Sequence, residues 1–206
     1  MSYLIPKKKH RIEEIIKRSK FIATIIHAPS PDSAKAFISE IKQEFPDATH
    51  NCWAFVSGPP GSTAHIGMSD DGEPRGTAGK PMLNTLLYSE IGEIAVVVTR
   101  YFGGIKLGTG GLVRAYSGVV KQALSALPVQ EKIISSHIFV IIDYSSLSYV
   151  KHLADSFDAE IIKEQYQADV SLTFELPREN ADNFHEALIN ITKGEIIIEQ
   201  IESGLC

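Results

Sequence analysis

The order of strands and helices in residues 135–206 restricts this stretch to very few folds. Val170, Leu172, Phe174 and Leu176 alternate with polar residues, which is typical of a strand with one buried face. The predicted elements are a strand at 138–142, a helix at 147–157, strands at 160–166 and 170–176, a helix at 180–192 and a strand at 195–201. This β-α-β-β-α-β order predicts a ferredoxin-like domain whose sheet has helices on one face and an open second face.

Residues 1–134 predict a different α/β domain. Ser30-Pro31 is a typical helix start, with a capping serine followed by proline in the first turn. Residues 94–98 are apolar without alternation, which indicates a central strand covered on both faces. Further strands are predicted at 19–26 and 51–56, a turn at 58–61, and helices from Pro31 to Pro46, around 82–87, and from 109–112 to Pro128. The whole chain is predicted to be an α/β (α+β) protein with domains at 1–134 and 135–206.

Charge is divided unevenly between these two predicted domains. Residues 1–134 hold 16 Lys and Arg against 12 Asp and Glu, whereas residues 135–206 hold 4 against 13. A polyanion that binds this chain would therefore meet the first domain. The same asymmetry is also compatible with two ordinary solvated surfaces.

The composition excludes several classes of protein. With 44% apolar and 22% charged residues, the chain resembles a globular protein rather than a disordered or collagen-like one. No apolar run reaches the roughly 18–20 residues that cross a bilayer, and the N-terminus lacks the order of a signal peptide. Two cysteines, Cys52 and Cys206, are too few for a disulfide framework or a four-ligand zinc site. A cytoplasmic protein with reduced thiols is expected.

Glycines cluster between residues 72 and 111, but two common nucleotide-binding motifs do not fit them. A phosphate-binding loop ending at Lys80 requires glycine at position 74 and Ser or Thr at position 81, and both positions are proline. A dinucleotide-binding fingerprint starting at Gly108 requires its third glycine at Val113. Neither a nucleoside triphosphatase nor a dinucleotide-binding domain is predicted.

The segment 99–114 leaves a buried strand and enters a helix through a glycine-rich turn. Its glycines expose backbone N–H groups at a helix N-terminus, which carries a partial positive charge. Arg100, Lys106 and Arg114 flank this turn. Because Tyr101 lies among them, the segment has the cations and the aromatic side chain that hold and stack a nucleic-acid strand. The alternative is a tight turn whose aromatic side chains belong to the core.

The acidic segment 69–73 also has two interpretations. Three carboxylates on one turn supply part of a magnesium site. Alternatively, the Asp side chains bind nearby backbone groups, and Asp71 or Glu73 pairs with an arginine, either Arg75 or Arg100. The turn is the favoured interpretation.

Two further segments contain reactive or strongly charged side chains. His50 and Cys52 share a face of a strand, but two residues of rise separate them by roughly 6.6 Å, which is too far for a catalytic pair. Residues 7–20 contain seven Lys and Arg, with Ile12, Ile15 and Ile16 among them at helical spacing. A solvated element is favoured there over a nucleic-acid contact. No catalytic constellation is recognised in the sequence.

Two long motifs carry a resemblance to a known family. Residues 69–81 (SDDGEPRGTAGKP) and 96–112 (VVVTRYFGGIKLGTGGL) resemble the YigZ/Impact family, and residues 48–51 (ATHN) resemble its strand entry. The family-motif residues are His50, Asp70, Asp71, Gly72, Glu73, Pro74, Gly76, Gly79, Gly103, Gly104, Gly108, Gly110 and Gly111. The likeness to the two-domain bacterial form covers nearly the whole chain.

The resemblance implies a fold and a class of partner. The first domain would be similar to domain IV of elongation factor G, a ribosomal-protein-like βαβ fold, and the second to its domain V. Eukaryotic relatives, which lack the second domain, regulate translation by competing for a ribosome-associated activator of a starvation kinase. For the bacterial form the fold likeness implies binding to nucleic acid or the ribosome.

Together these features predict a non-catalytic protein that binds RNA or the ribosome and regulates translation. The expected nucleic-acid contacts are Arg75, Lys80, Arg100, Tyr101, Lys106 and Arg114. No cofactor, metal, membrane or sequence-specific DNA site is expected. The alternatives are a protein-interaction module that binds a translation regulator, and a metal-dependent enzyme acting on a phosphorylated small molecule.

Overall fold

The computed structural model describes residues 2–201, and for residues 200 and 201 it describes only the backbone. The chain forms two compact units, one comprising Tyr3–Lys132 and the other beginning at Ile133. The mixed α/β class with two domains is confirmed. The finer boundary after residue 134 stays a prediction, and Cys206 lies outside the described residues.

The first unit is built on a five-stranded antiparallel sheet in the order β2-β3-β6-β4-β5. Its elements are β1 (Ser2–Pro6), β2 (His10–Ile16), β3 (Ser19–His27), α1 (Pro31–Glu44), β4 (His50–Val56), β5 (Ile66–Ser69), α2 (Gly79–Leu87), β6 (Ile94–Tyr101), α3 (Thr109–Ser125) and β7 (Val129–Ile133). Strands β1 and β7 pair in a separate two-stranded sheet.

Helices cover both faces of the five-stranded sheet. On the central strand β6, Val96 and Val98 face the core shared with α2 and α3, whereas Ala95 and Val97 face the core shared with α1. All four residues are fully buried. The prediction of a central strand covered on both faces is therefore confirmed.

The start of α1 is also confirmed. Ser30 caps the helix, because its Oγ accepts a hydrogen bond from the backbone N–H of Ser33 at 3.2 Å. The Ser33 Oγ in turn accepts from the N–H of Ser30, which completes a capping box. Pro31 occupies the first turn, where its missing N–H leaves no helical hydrogen bond unmade.

The segment before β3 is a strand rather than the helix that its isoleucine spacing suggests. Strand β2 pairs with β3 in a hairpin, and the two turn residues Lys17 and Arg18 have φ angles of 45° and 68°. Ile12 and Ile16 pack against the core, while Ile15 is 75% exposed. Because residues four apart share a face in helices and strands alike, Ile12 and Ile16 did not distinguish the two.

The second unit has the predicted ferredoxin-like order of elements. They are β8 (Ser135–Ile142), α4 (Leu147–Asp155), β9 (Glu160–Tyr166), β10 (Val170–Pro177), α5 (Ala181–Ile191) and β11 (Ile197–Ile201). The sheet is antiparallel in the order β11-β8-β10-β9. Val170, Leu172, Phe174 and Leu176 are buried, as their alternation predicts. In the described part of the chain, no helix is long and apolar enough to span a bilayer.

Candidate functional site

The first motif, residues 69–81, forms a loop between β5 and α2 that Asp70 holds in place. The Asp70 Oδ1 accepts hydrogen bonds from the backbone N–H groups of Ala78 and Gly79 at 3.0 and 2.8 Å, and Oδ2 accepts from that of Gly76 at 2.7 Å. Burial opposes ionisation of this carboxyl, but the three N–H groups and the charge of Arg75 outweigh it and lower its pKa. Asp70 thus caps the N-terminus of α2, although it lies eight residues before the capping position Ala78.

Asp71 ties the same loop to α1 and β4. Its Oδ1 accepts a hydrogen bond from Lys42 Nζ at 2.6 Å, and its Oδ2 accepts one from the backbone N–H of Asn51 at 2.7 Å. His50 Nδ1 lies 2.8 Å from the Asp71 carbonyl oxygen. Burial works against the charge of Asp71, but Lys42 and the Asn51 N–H lower its pKa overall.

Glu73 points into the core, where it pairs with Arg100. One guanidinium nitrogen lies 2.5 Å from Glu73 Oε1, and the Tyr116 hydroxyl donates to the same oxygen at 2.9 Å. Arg100 is 5% exposed and Glu73 is 7% exposed. The arginine also lies over the rings of Phe21 and Phe102.

This geometry sets two of the predicted nucleic-acid contacts, which stay predictions, apart from the other four. The charge of Arg100 is neutralised inside the protein, so its guanidinium is not presented to a ligand. Tyr101, the next residue of β6, faces the α1 side of the sheet, where its hydroxyl donates to Asp47 at 3.0 Å. Residues one apart on a strand point to opposite faces, so Tyr101 does not join the cations of α3.

The favoured interpretation of the acidic segment agrees with these contacts. Asp70 binds backbone N–H groups, Asp71 binds Lys42, and Glu73 binds Arg100. Among the described residues, no group of three or more His, Cys, Asp or Glu side chains is placed to hold a metal ion. The carboxylates are used as structural acceptors.

Cys52 lies beneath this loop and is not a nucleophile. Its Sγ lies 2.9 Å from the Asp70 carbonyl oxygen and 3.3 Å from the Tyr116 hydroxyl. Burial raises the pKa of the Cys52 thiol to about 12, so the thiol stays protonated at neutral pH. The hydrogen bond of His50 goes to Asp71 instead, which agrees with the rejection of a His50–Cys52 pair.

Two motif glycines are required by close packing. A Cβ on Gly79 would lie 2.8 Å from the backbone of Ser69, and one on Gly103 would lie 1.9 Å from the carbonyl oxygen of Arg18. Positive φ angles occur at Gly72, Gly76, Gly104 and Gly108, and Gly110 and Gly111 lie in the first turn of α3. Much of the family motif therefore shapes the fold.

The outer sides of α2 and α3 form a basic face, defined here by Lys80, Arg114 and Lys121. All three residues are exposed, and none of them forms an ion pair within residues 2–201. No Asp or Glu occurs between residues 94 and 130, and none occurs in α2. Neither α2 nor α3 therefore contributes a carboxylate to the basic face.

The basic face includes one residue that the site prediction omitted. Lys121 is seven residues after Arg114 on α3, and this spacing returns almost to the same side of a helix. Arg75 and Lys106 are exposed in the loops before α2 and α3. Of the six predicted contacts, the structure therefore leaves Arg75, Lys80, Lys106 and Arg114 available at the surface.

Comparison with known proteins identifies both parts of the chain. The Impact N-terminal domain matches residues 17–124, and a domain of unknown function (DUF1949) matches residues 140–195. An "IMPACT family member" of Haemophilus influenzae and the "IMPACT family member YigZ" of Escherichia coli are each 43% identical to this chain, with 98% of both chains covered. A solved structure described as a hypothetical protein is 43% identical, covers 98% of both chains and has a TM-score of 0.70.

Proposed function

This chain belongs to the IMPACT family, and we propose that it is a non-catalytic RNA-binding protein that contacts phosphate groups through its basic face. The observation that carries the proposal is the set of exposed cations Lys80, Arg114 and Lys121, which form no ion pair within residues 2–201 and lie on two helices without Asp or Glu. Such a surface attracts any polyanion, and contacts to phosphate carry no sequence information. Binding is therefore expected to tolerate changes of RNA sequence.

A glycine on the exposed side of α3 supports this proposal. Gly118 lies on the exposed side of the helix, four residues after Arg114 and three before Lys121, and a Cβ there would meet nothing within 4 Å. Glycine inside a helix lowers stability by about 0.5–1 kcal/mol relative to alanine. Between two cations it also lets a phosphate backbone approach the helix closely.

The proposed role is the regulation of translation in the cytoplasm, with RNA or the ribosome as the partner. Membership of the IMPACT family supports this role, and the predicted likeness of the two domains to domains IV and V of elongation factor G supports it by analogy alone. No observation favours an enzyme, because the acidic loop uses its carboxylates on backbone N–H groups, Lys42 and Arg100.

The proposal is tested by replacing the three residues of the basic face with alanine, singly and together. Binding of a labelled structured RNA is measured by fluorescence anisotropy for Lys80→Ala, Arg114→Ala, Lys121→Ala and the triple variant. Each lost phosphate contact makes the negative slope of log K against log salt shallower by about 0.7–0.9. The slope of the triple variant is expected to be shallower by about two to three, and the variant should lose most of its affinity at low salt.

The matched control is Lys35→Ala. Lys35 is also an exposed lysine, on α1 at the other face of the sheet, and its side chain lies 3.6 Å from Asp32. We expect its replacement to leave the affinity and the slope unchanged. A folded triple variant that binds RNA like the parent protein would exclude the basic face.

A further inference from the structure

A groove of about 650 Å³ runs between α2 and α3. It is lined at intervals of four residues by Lys80 and Asn84 of α2 and by Tyr88 directly after this helix, so these residues form one stripe. Ser117 and Lys121 line it from α3 with the same interval. The groove therefore lies along the edge of the basic face, and its volume is that of a small-ligand site.

Tyr88 is the most unusual residue of this groove. It follows directly after α2 and is 92% exposed, more than any other large hydrophobic residue for which the structure gives an exposure. An aromatic ring so exposed adds nothing to the core. Beside Lys80 and Lys121, which have no acidic partner in the described part of the chain, it supplies a flat surface on which a nucleobase stacks.

The polar groups of the groove suit the edge of a base. The side-chain amide of Asn84 has no hydrogen-bond partner in the described chain, so it offers both donors and an acceptor. The hydroxyls of Thr85 and Ser117 donate to the carbonyl oxygens of Pro81 and Val113, which leaves their lone pairs free to accept. Pro81, Val113 and Leu124 complete the lining with apolar surface.

The charges favour a nucleotide that is part of a longer chain. None of the lining residues is acidic, and Lys80 and Lys121 lie on opposite walls. A third cation, Arg114, follows the lining residue Val113 and is about 10 Å from Lys121 along α3. Cations spaced over this length suit successive phosphates of one strand better than the single phosphate of a free mononucleotide.

We propose that this groove accepts one unpaired nucleotide of an RNA chain. Its base stacks on Tyr88, its edge bonds to Asn84, and its flanking phosphates bind Lys80 and Lys121. This inference rests on the proposed RNA-binding function and adds a preference for single-stranded over base-paired RNA.

The test compares single-stranded and base-paired RNA on the full chain. Anisotropy is measured with a labelled unstructured oligonucleotide, a fully paired hairpin of the same length and the mononucleotide UMP as a competitor. We expect Tyr88→Ala to weaken binding of the single strand by about 5- to 150-fold, which corresponds to one stacked base. Tyr88→Phe retains the ring and is expected to bind within about twofold of the parent.

The control is Tyr149→Ala, which removes another exposed tyrosine, on α4 of the second unit. We expect this control to bind like the parent, the hairpin to be indifferent to Tyr88→Ala, and UMP to compete far less well than the oligonucleotide. Unchanged single-strand binding by Tyr88→Ala would overturn the inference, and so would an equal loss on the hairpin. If the variants of the basic face still lose affinity in that case, the proposed function stands without the nucleotide groove.

Discussion

Asp70 shows at the scale of one residue how the acidic motif works. Its two carboxylate oxygens accept three backbone N–H groups at the start of α2, whose capping position is Ala78 and has no side-chain acceptor of its own. An amide at position 70 would retain one acceptor oxygen but would turn its NH₂ group toward an N–H. The loop thus depends on the negative charge of Asp70, whose two oxygens both accept backbone hydrogen bonds.

We expect Asp70→Asn to lower the free energy of unfolding at pH 7 by about 1–2 kcal/mol, the range of a lost helix cap or charged hydrogen bond. Because the pKa of Asp70 is lowered in the folded protein, its contribution is present above the unfolded value of about 3.9 and is lost as the pH falls through the folded value. Urea unfolding from pH 3 to pH 8 measures the difference in free energy of unfolding between the parent protein and Asp70→Asn. It should be constant above about pH 5 and should shrink below about pH 4.

The matched control is Asp32→Asn, since Asp32 lies in the first turn of α1 with a side chain that is 95% exposed. A smaller change than that of Asp70→Asn is expected for it at pH 7. Equal stability of Asp70→Asn and the parent at pH 7, or a difference that grows on acidification, would contradict the assigned role.

The residues of the site were only partly predictable from the sequence. The predicted strand ended at Val98, whereas β6 continues to Tyr101. Extending it by three residues would have placed Arg100 on the same side as Val98 and Tyr101 on the opposite side. The partner of Arg100 is 27 residues away in the chain, and spacing alone left Glu73 and Asp71 as equal candidates.

At the scale of the element, α3 combines a buried side with an exposed side that bears cations and glycine. Gly118→Ala is expected to stabilise the protein by about 0.5–1 kcal/mol, because alanine restricts the unfolded chain and its Cβ meets no neighbour. Gly118→Gln should stabilise the helix to a similar degree but weaken RNA binding by roughly tenfold, through the bulk it adds between Arg114 and Lys121. Thermal unfolding and RNA anisotropy measure the two effects on the same samples.

Gly118→Ala serves as the control for added stability, because its side chain is too small to keep a phosphate away. If Gly118→Gln were to bind RNA as tightly as the parent, RNA would not approach α3 at this point. The helix itself was predictable, since its apolar residues recur at the helical period. The hairpin of β2 and β3 was not, because its turn consists of Lys17 and Arg18 rather than glycine or asparagine.

At the scale of the whole molecule, each unit has a hydrophobic core of its own. The second unit was predictable because its strands alternate and its short connections fix their order. The first was less so, because the order β2-β3-β6-β4-β5 depends on pairing between distant segments, which no local pattern records. That pairing decides which helices lie on the same face of the sheet. It therefore also decides where the basic face and its groove form.

The division of charge gives the most direct test of RNA binding by the first unit. The full chain and residues 1–134 alone are titrated with a labelled structured RNA at several salt concentrations, after circular dichroism has shown that the fragment is folded. Residues 135–206 hold 4 basic and 13 acidic residues, so their removal lessens repulsion of the phosphates. We predict salt-sensitive binding that the fragment retains or exceeds. Binding by neither protein at low salt, or by the full chain but not by the folded fragment, would contradict the assignment of RNA binding to the first unit.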